Sequence, residues 1–196
     1  MPNAAFVLIV SGGTWALIWH GRARLIGLAP FLVGLAWALT TPQQDVLITG
    51  DGRHVAIRSS NGQLGILRSR AGDYVRSILG ESAGETEGLP DLDALPGADC
   101  GTDLCVVTVR RGGRSWEIAA TRTGQKLPWV ELIRLCSTVD IIVSDRTLPP
   151  ACAPRWIKAD RKLLARTGGL AITLSSGTVQ TARRPEDDHL WTPFGR

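Results

Sequence analysis

The chain opens on two uninterrupted apolar runs and then changes character. Ala4–Trp19 (AAFVLIVSGGTWALIW) and Leu25–Leu39 (LIGLAPFLVGLAWAL) carry no charge, and only His20-Gly21-Arg22-Ala23-Arg24 separates them. At 1.5 Å per residue each run makes about 24 Å of helix, short of the ~30 Å hydrocarbon core. Asn3 and Thr40-Thr41 extend both towards spanning length. Trp15, Trp19 and Trp37 fall near the ends, where interfacial aromatics sit. Gly12-Gly13 and Pro30 are tolerable in a bilayer, where neighbouring helices satisfy freed backbone groups. A secretory leader carries its positive charge before the apolar stretch; here Arg22 and Arg24 follow it. The pattern predicts a transmembrane helical hairpin over residues 1–44.

From Asp45 onward the periodicity is that of a folded polar domain. Asp45–Thr49 reads as a strand, Gly50-Asp51-Gly52 as a turn, and His54–Arg58 as a half-buried strand with Val55 and Ile57 on one face. Asn61-Gly62 is a hairpin signal, and Leu64–Leu67 is the returning strand. Asp73–Leu79 predicts a short helix, and 80–98, rich in Gly, Pro and acids, predicts a loop. Leu104–Arg110 and Trp116–Thr121 flank Arg111-Gly112-Gly113-Arg114 as the clearest hairpin of the chain. Pro128–Cys136 has helical spacing with proline at its start, and Ile141–Val143 reads as a buried strand. Asp160 is placed to cap a helix over Lys162–Arg166, which Gly168-Gly169 ends. Leu170–Leu174 and Thr178–Thr181 form a last hairpin, and 183–196 a charged, flexible tail. Strands followed by alternating helices and strands predict a two-layer or sandwiched α/β (α+β) domain over 45–182.

Charge and cysteine sharpen the division. The 196 residues hold 22 Lys+Arg against 18 Asp+Glu, but no acid precedes Asp45, so the polar part is nearly balanced. A balanced surface argues against a dense nucleic-acid face, although short basic clusters stand at Arg110, Arg111 and Arg114 and at Lys158, Arg161, Lys162 and Arg166. All four cysteines lie in the polar part, at Cys100, Cys105, Cys136 and Cys152, with no histidine near either pair. The spacing is wider than a zinc knuckle. Three connectivities exist, and the simplest closures join Cys100 to Cys105 and Cys136 to Cys152 if the compartment is oxidising; four free thiols suit a cytosolic domain. The positive-inside tendency places Arg22 and Arg24 in the cytoplasm and everything after Pro42 outside, which in a double-membrane bacterium is the periplasm. Orientation and cysteine pairing agree.

Other chemistry is sparse. There is no Walker loop and no Gly-x-Ser-x-Gly elbow. Asp51 and His54 share an exposed turn and make no convincing dyad, and His189 lies among acids of the tail.

The stretches DVLITGDGRHVAIRSSNGQLGIL, CSTVDIIVSDRTLPPAC and WIKADRKLLARTGGLAITLSSGTV, in this order, resemble the carboxy-terminal part of ComEC-type competence proteins, polytopic membrane proteins of DNA uptake. The resemblance spans most of 1–182. It implies that the apolar runs are the last two membrane helices of a channel region. It also implies that 45–182 is a reduced metallo-β-lactamase-like domain, a fold that in many members is proposed to degrade one DNA strand with zinc. Gly50-Asp51-Gly52-Arg53 then matches the Gly-Gln-Gly-Asp turn, and Asp140–Val143 the strand before His-His-Gly-Ser.

The departures are chemical. Ser144-Asp145-Arg146-Thr147 replaces His-His-Gly-Ser, Arg68-Ser69 replaces Asp-Gly-Gly, and no histidine lies between His54 and His189. Two zinc ions need clustered imidazoles and carboxylates. Asp145 alone, expected as a turn or helix-cap carboxylate, cannot supply them. The expectation is therefore a degenerate domain with no catalytic residue, metal or cofactor, in the inner membrane with its polar part periplasmic. Its expected partners are the membrane, other channel helices or subunits of the DNA-uptake machinery, and DNA held through Arg110, Arg111, Arg114, Lys158, Arg161, Lys162 and Arg166. The alternative is a disulfide-stapled interaction module that never touches nucleic acid.

Overall fold

A computed structural model describes residues 2–68, 71–85, 88–123 and 128–184. The chain divides into two compact units, Met1–Gln43 and Gln44–Arg196.

The first unit is a pair of helices, α1 (Asn3–Ile18) and α2 (Arg24–Thr40), joined by a single 3-10 turn at Gly21–Ala23. Both carry apolar side chains on every side. They run antiparallel with backbones almost touching. A Cβ on Gly12 would lie 2.6 Å from the Gly27 carbonyl oxygen, and one on Gly34 2.9 Å from that of Ala5. Such small-residue contacts are the means by which helices associate in lipid. The Trp15 indole donates to the Ala23 carbonyl at 3.0 Å and closes the turn. Phe6, Val7, Leu17, Leu25, Ile26 and Leu39 remain exposed. Gly21–Thr40 is a 20-residue helical stretch long and apolar enough to cross a membrane, while Asn3–Ile18 is shorter.

The second unit is a mixed α/β structure of two five-stranded sheets. One sheet has the order β10-β9-β1-β2-β3, built from β1 (Val46–Thr49), β2 (Val55–Arg58), β3 (Leu64–Ile66), β9 (Gly169–Thr173) and β10 (Thr178–Thr181). The other has the order β4-β5-β6-β7-β8, built from β4 (Ala98–Cys100), β5 (Leu104–Arg111), β6 (Arg114–Thr121), β7 (Ile141–Val143) and β8 (Ile157–Ala159). All pairs are antiparallel except β6 with β7 and β7 with β8.

Alternation along the strands sorts the core into three layers. Val46, Ile48, Val55, Ile57 and Ile172 of the first sheet meet Cys105, Val107, Val109, Trp116, Ile118 and Val143 of the second. The opposite face of the first sheet, with Leu47, Ala56, Leu64 and Ile66, is covered by Leu79 and Ala83 of α3 (Asp73–Ala83). The opposite face of the second, with Ala119 and Ile142, is covered by Leu132, Leu135 and Cys136 of α4 (Trp129–Thr138). The layers are thus helix, sheet, sheet, helix. A last short helix, α5 (Arg161–Thr167), is capped by the Asp160 carboxylate on the Leu163 amide at 3.0 Å and ends at Gly168 with φ 70°.

Three elements differ from the sequence reading. Helix α3 continues past Leu79 to Ala83, because Gly80 and Ala83 are buried along its length, and stops at Gly84 with φ 76°. The segment expected as a loop over 80–98 contains a 3-10 turn at Leu92–Ala94, and strand β4 starts at its last residue. Strand β8 carries no clear alternation; it is a three-residue parallel strand whose place is set by its partner β7. The tail expected over 183–196 lies outside the described residues from 185 onward. Arg183 is anchored, its amide donating to the Thr167 carbonyl at 2.8 Å and its guanidinium to that of Ala165 at 3.1 Å.

Both disulfides join the cysteines that the spacing favoured. Cys100 and Cys105 are directly opposite across β4 and β5. Cys136 on α4 is bonded to Cys152 in the chain that returns to β8.

Candidate nucleic-acid interface

The seven expected DNA-contacting cations do not share one face. Ala120, Val143 and Ala159 stand level across the second sheet. Arg114 opens β6, about 20 Å back along the strand direction at about 3.3 Å per residue. Arg110, Arg111 and Arg114 therefore occupy one end of the sheet. Arg161, Lys162 and Arg166 follow β8 at the other end, on α5.

Three of the seven are engaged within the domain. The Arg111 guanidinium donates to buried Asp45 at 2.8 Å and to the Ser59 carbonyl at 2.8 Å. Arg114 pairs with Asp140, whose side chain is 1% exposed, at 2.6 Å, and stacks 4.1 Å over the Trp116 ring. The Lys158 ammonium donates to the Pro149 carbonyl at 2.8 Å. These groups hold loops to strands. Arg110, Arg161, Lys162 and Arg166 are exposed, as is Arg114 despite its ion pair.

The structure brings other cations to the α5 end. The turn between β1 and β2 lies against the end of β7 and against α5: a Cβ on Gly52 would meet the Ser144 carbonyl at 2.8 Å, Leu164 Cδ1 at 2.9 Å and Asp145 Cα at 3.1 Å. Gly52 also has φ +67°, so glycine is required there twice over. The Arg161 amide donates to the Arg146 carbonyl at 3.1 Å, tying α5 to the loop after β7. Arg53, Arg146, Arg161, Lys162 and Arg166 are thereby gathered from segments about a hundred residues apart.

Beneath them lies an ion-pair centre. The Asp145 carboxylate is 3.4 Å from the Arg68 guanidinium and 3.9 Å from that of Arg53, with Asp145 14% and Arg53 64% exposed. Asp145 is thus an ion-pair partner and neither caps a helix nor closes a turn. The β2–β3 register, Ala56 opposite Ile66 with the Leu67 amide on the Val55 carbonyl, continues to place His54 level with Arg68. Arg68 Nε, Asp145 Oδ1 and His54 Nδ1 are buried polar atoms with no hydrogen-bond partner in the structure.

The carboxylates at this end are occupied. Asp51 accepts from the Thr49 hydroxyl at 2.5 Å and the Arg53 amide at 3.0 Å. Burial pushes its carboxyl up, but those two hydrogen bonds and the nearby His54 and Arg53 charges outweigh it and hold the group below its ordinary value. Asp160 accepts from the Leu163 and Leu148 amides at 3.0 and 3.2 Å.

Helix α5 carries its charge at a local cost. Lys162 and Arg166 are like charges four residues apart, unfavourable by about 0.2–0.5 kcal/mol. Arg161 and Lys162 stand in the first turn, where the helix dipole disfavours positive charge and the Asp160 cap offsets part of it.

The site does not fit a zinc ion. Among the described residues no three His, Cys, Asp or Glu side chains come together in a ligating arrangement. The one carboxylate at the end of β7 faces two guanidinium groups, which already neutralise it. Sequence reasoning missed Arg53, Arg68 and Arg146 as members of the site. The signal available was Gly52, a glycine at a turn whose close contacts only the folded chain reveals.

No protein-family model, no curated protein and no solved structure matches this chain.

Proposed function

We propose that the chain is the carboxy-terminal, membrane-anchored part of a DNA-uptake channel of the competence type. Its polar domain stands on the periplasmic side of the inner membrane and serves channel assembly or DNA passage without cutting DNA. The observation that carries the reading is the union, in one short chain, of a glycine-packed apolar helix pair and a domain closed by two disulfides. Disulfides persist in oxidising compartments. Arg22 and Arg24, at the turn between the helices, favour the cytoplasmic side, which sends the chain beyond Thr40 outward.

The family part of the proposal rests on the sequence motifs and is supported by the helix-sheet-sheet-helix layering, which suits a reduced metallo-β-lactamase-like domain. The absence of a nuclease role is argued from the guanidinium groups that face Asp145 where such domains hold metal. Within this proposal the structural, interaction-module reading gains from Arg111, Arg114 and Lys158, each of which bonds to another segment of the domain.

The test is thiol accessibility in intact cells and in denatured protein. Four blocked cysteines, released only by reductant, are the expected result. Four reactive thiols would place the domain in a reducing compartment and refute the outward orientation.

A further inference from the structure

We propose that the end of the domain formed by the β1–β2 turn, the loop after β7 and α5 is a phosphate-recognising surface. Its ligand is the phosphodiester backbone of a nucleic acid, and its contacts are Arg53, Arg146, Arg161, Lys162 and Arg166. This set is not the one the sequence suggested, since it adds two arginines from distant segments and omits Arg110, Arg111, Arg114 and Lys158. That the polyanion is nucleic acid rests on the reading under Proposed function; the charged surface itself rests on geometry alone.

Three observations converge. First, close backbone contacts at Gly52 and the Arg161–Arg146 hydrogen bond fix the three segments together, so the cations are presented by a rigid frame and not by a mobile loop. Second, the described acids of this end have partners within the domain: Asp51 the Thr49 hydroxyl and the Arg53 amide, Asp145 the Arg68 and Arg53 guanidinium groups through one oxygen, and Asp160 two amides. Among the described residues this end thus carries six cationic side chains, Arg68 included, against three carboxylates, a local excess of positive charge. Third, Lys162 and Arg166 face the same way one helical turn apart, and among the described residues no acid pairs with either, an arrangement that an incoming anion relieves. Guanidinium groups match phosphate oxygens in paired donation, and their affinity for a nucleic acid scales with the counterions released.

The Arg68–Asp145 pair gives the surface its limit. Asp145 stands below Arg53 and competes with a phosphate for it, so binding is expected to be moderate and steeply salt-dependent.

The experiment uses the full chain in neutral detergent and fluorescent 20-nucleotide single-stranded and duplex DNA, with anisotropy read over a salt series. Wild type is expected to bind both at low salt. The triple variant Arg161→Ala/Lys162→Ala/Arg166→Ala is expected to bind roughly 10- to 100-fold more weakly, and its log K against log salt slope to be shallower by about 2 to 3. Alanine favours helix, so α5 is retained, and unchanged thermal unfolding verifies it. Arg53→Ala is expected to act in the same direction, whereas Arg110→Ala, exposed at the opposite end, leaves binding unchanged. The proposal is overturned if wild type fails to bind at low salt, if the triple variant binds like wild type, or if poly-glutamate of equal charge displaces the probe as well as DNA does. Blocked thiols in the topology assay together with absent DNA binding would sink this surface and leave the membrane-anchored module standing.

Discussion

Removing the Cys136–Cys152 disulfide is the most informative perturbation of stability. The bond joins residues 16 apart, and both cysteines are almost fully buried. In the chain-entropy account, a cross-link closing a loop of this size withholds about 3 kcal/mol of freedom from the unfolded chain. Cys100–Cys105 joins residues only 5 apart, and the same relation gives about 2 kcal/mol. The longer bridge also anchors α4 against Ala119 and Ile142, so its loss leaves a gap under the helix. The variants are Cys136→Ala/Cys152→Ala and Cys100→Ala/Cys105→Ala, unfolded in urea as the full chain in neutral detergent and read by circular dichroism. With an m-value of about 2 kcal/mol/M, the first pair is expected to lower the midpoint by about 1.5 M and the second by about 1 M. Treating wild type with reductant should reproduce the sum of the two shifts. Equal midpoints for wild type and the Cys136/Cys152 variant would refute the reasoning, since neither the entropic term nor the packing under α4 would then be present.

Other outcomes follow from single sites. Asp45→Ala removes the acceptor of both Arg111 Nε and the Leu174 amide, each at 2.8 Å. Leaving a part-buried guanidinium unpaired should cost about 3 kcal/mol, visible as a lower thermal midpoint. Gly52→Ala places a Cβ 2.8 Å from the Ser144 carbonyl in a left-handed backbone and is expected to destabilise by about 2 kcal/mol or more; an unchanged melting curve would contradict the contact. Gly12→Val should separate α1 from α2, and cross-linking of cysteines introduced on the two helices would report the loss. For Asp51 the folded carboxyl lies below its unfolded value, so its contribution is present above the unfolded carboxylate range and is lost as pH falls through the folded one. Asp51→Asn is accordingly expected to lower stability at neutral pH and to flatten the acid limb below the ordinary carboxylate range, where the variant and wild-type curves converge.

Much of this protein is set by local pattern. Apolar runs without charge predict helices because an extended chain in an apolar medium cannot satisfy its own backbone, and α1 and α2 appear within one or two residues of the runs. Asn61-Gly62, Arg111–Arg114 and Gly168 mark turns because each needs torsions or donors that few residues supply. Asp160 was legible as a cap because the carboxylate and the amide it accepts from lie within one turn. Both disulfide partners were the simplest closures of their loops.

What the sequence could not decide was anything that depends on distant segments meeting. Strand β8 is recognised only beside β7, since a short buried parallel strand has no alternation of its own. The role of a charge was equally hidden. Arg111 and Arg114 look like unpaired cations until buried Asp45 and Asp140, just before β1 and β7, come within hydrogen-bond distance and pair with them. Arg53 and Arg146 look incidental until the close approach at Gly52 and the amide of Arg161 set them beside α5. A residue's type determines which charge it carries. Whether that charge is spent inside the fold or presented to a partner is set by Coulomb and hydrogen-bond partners that only the tertiary structure brings within a few ångströms.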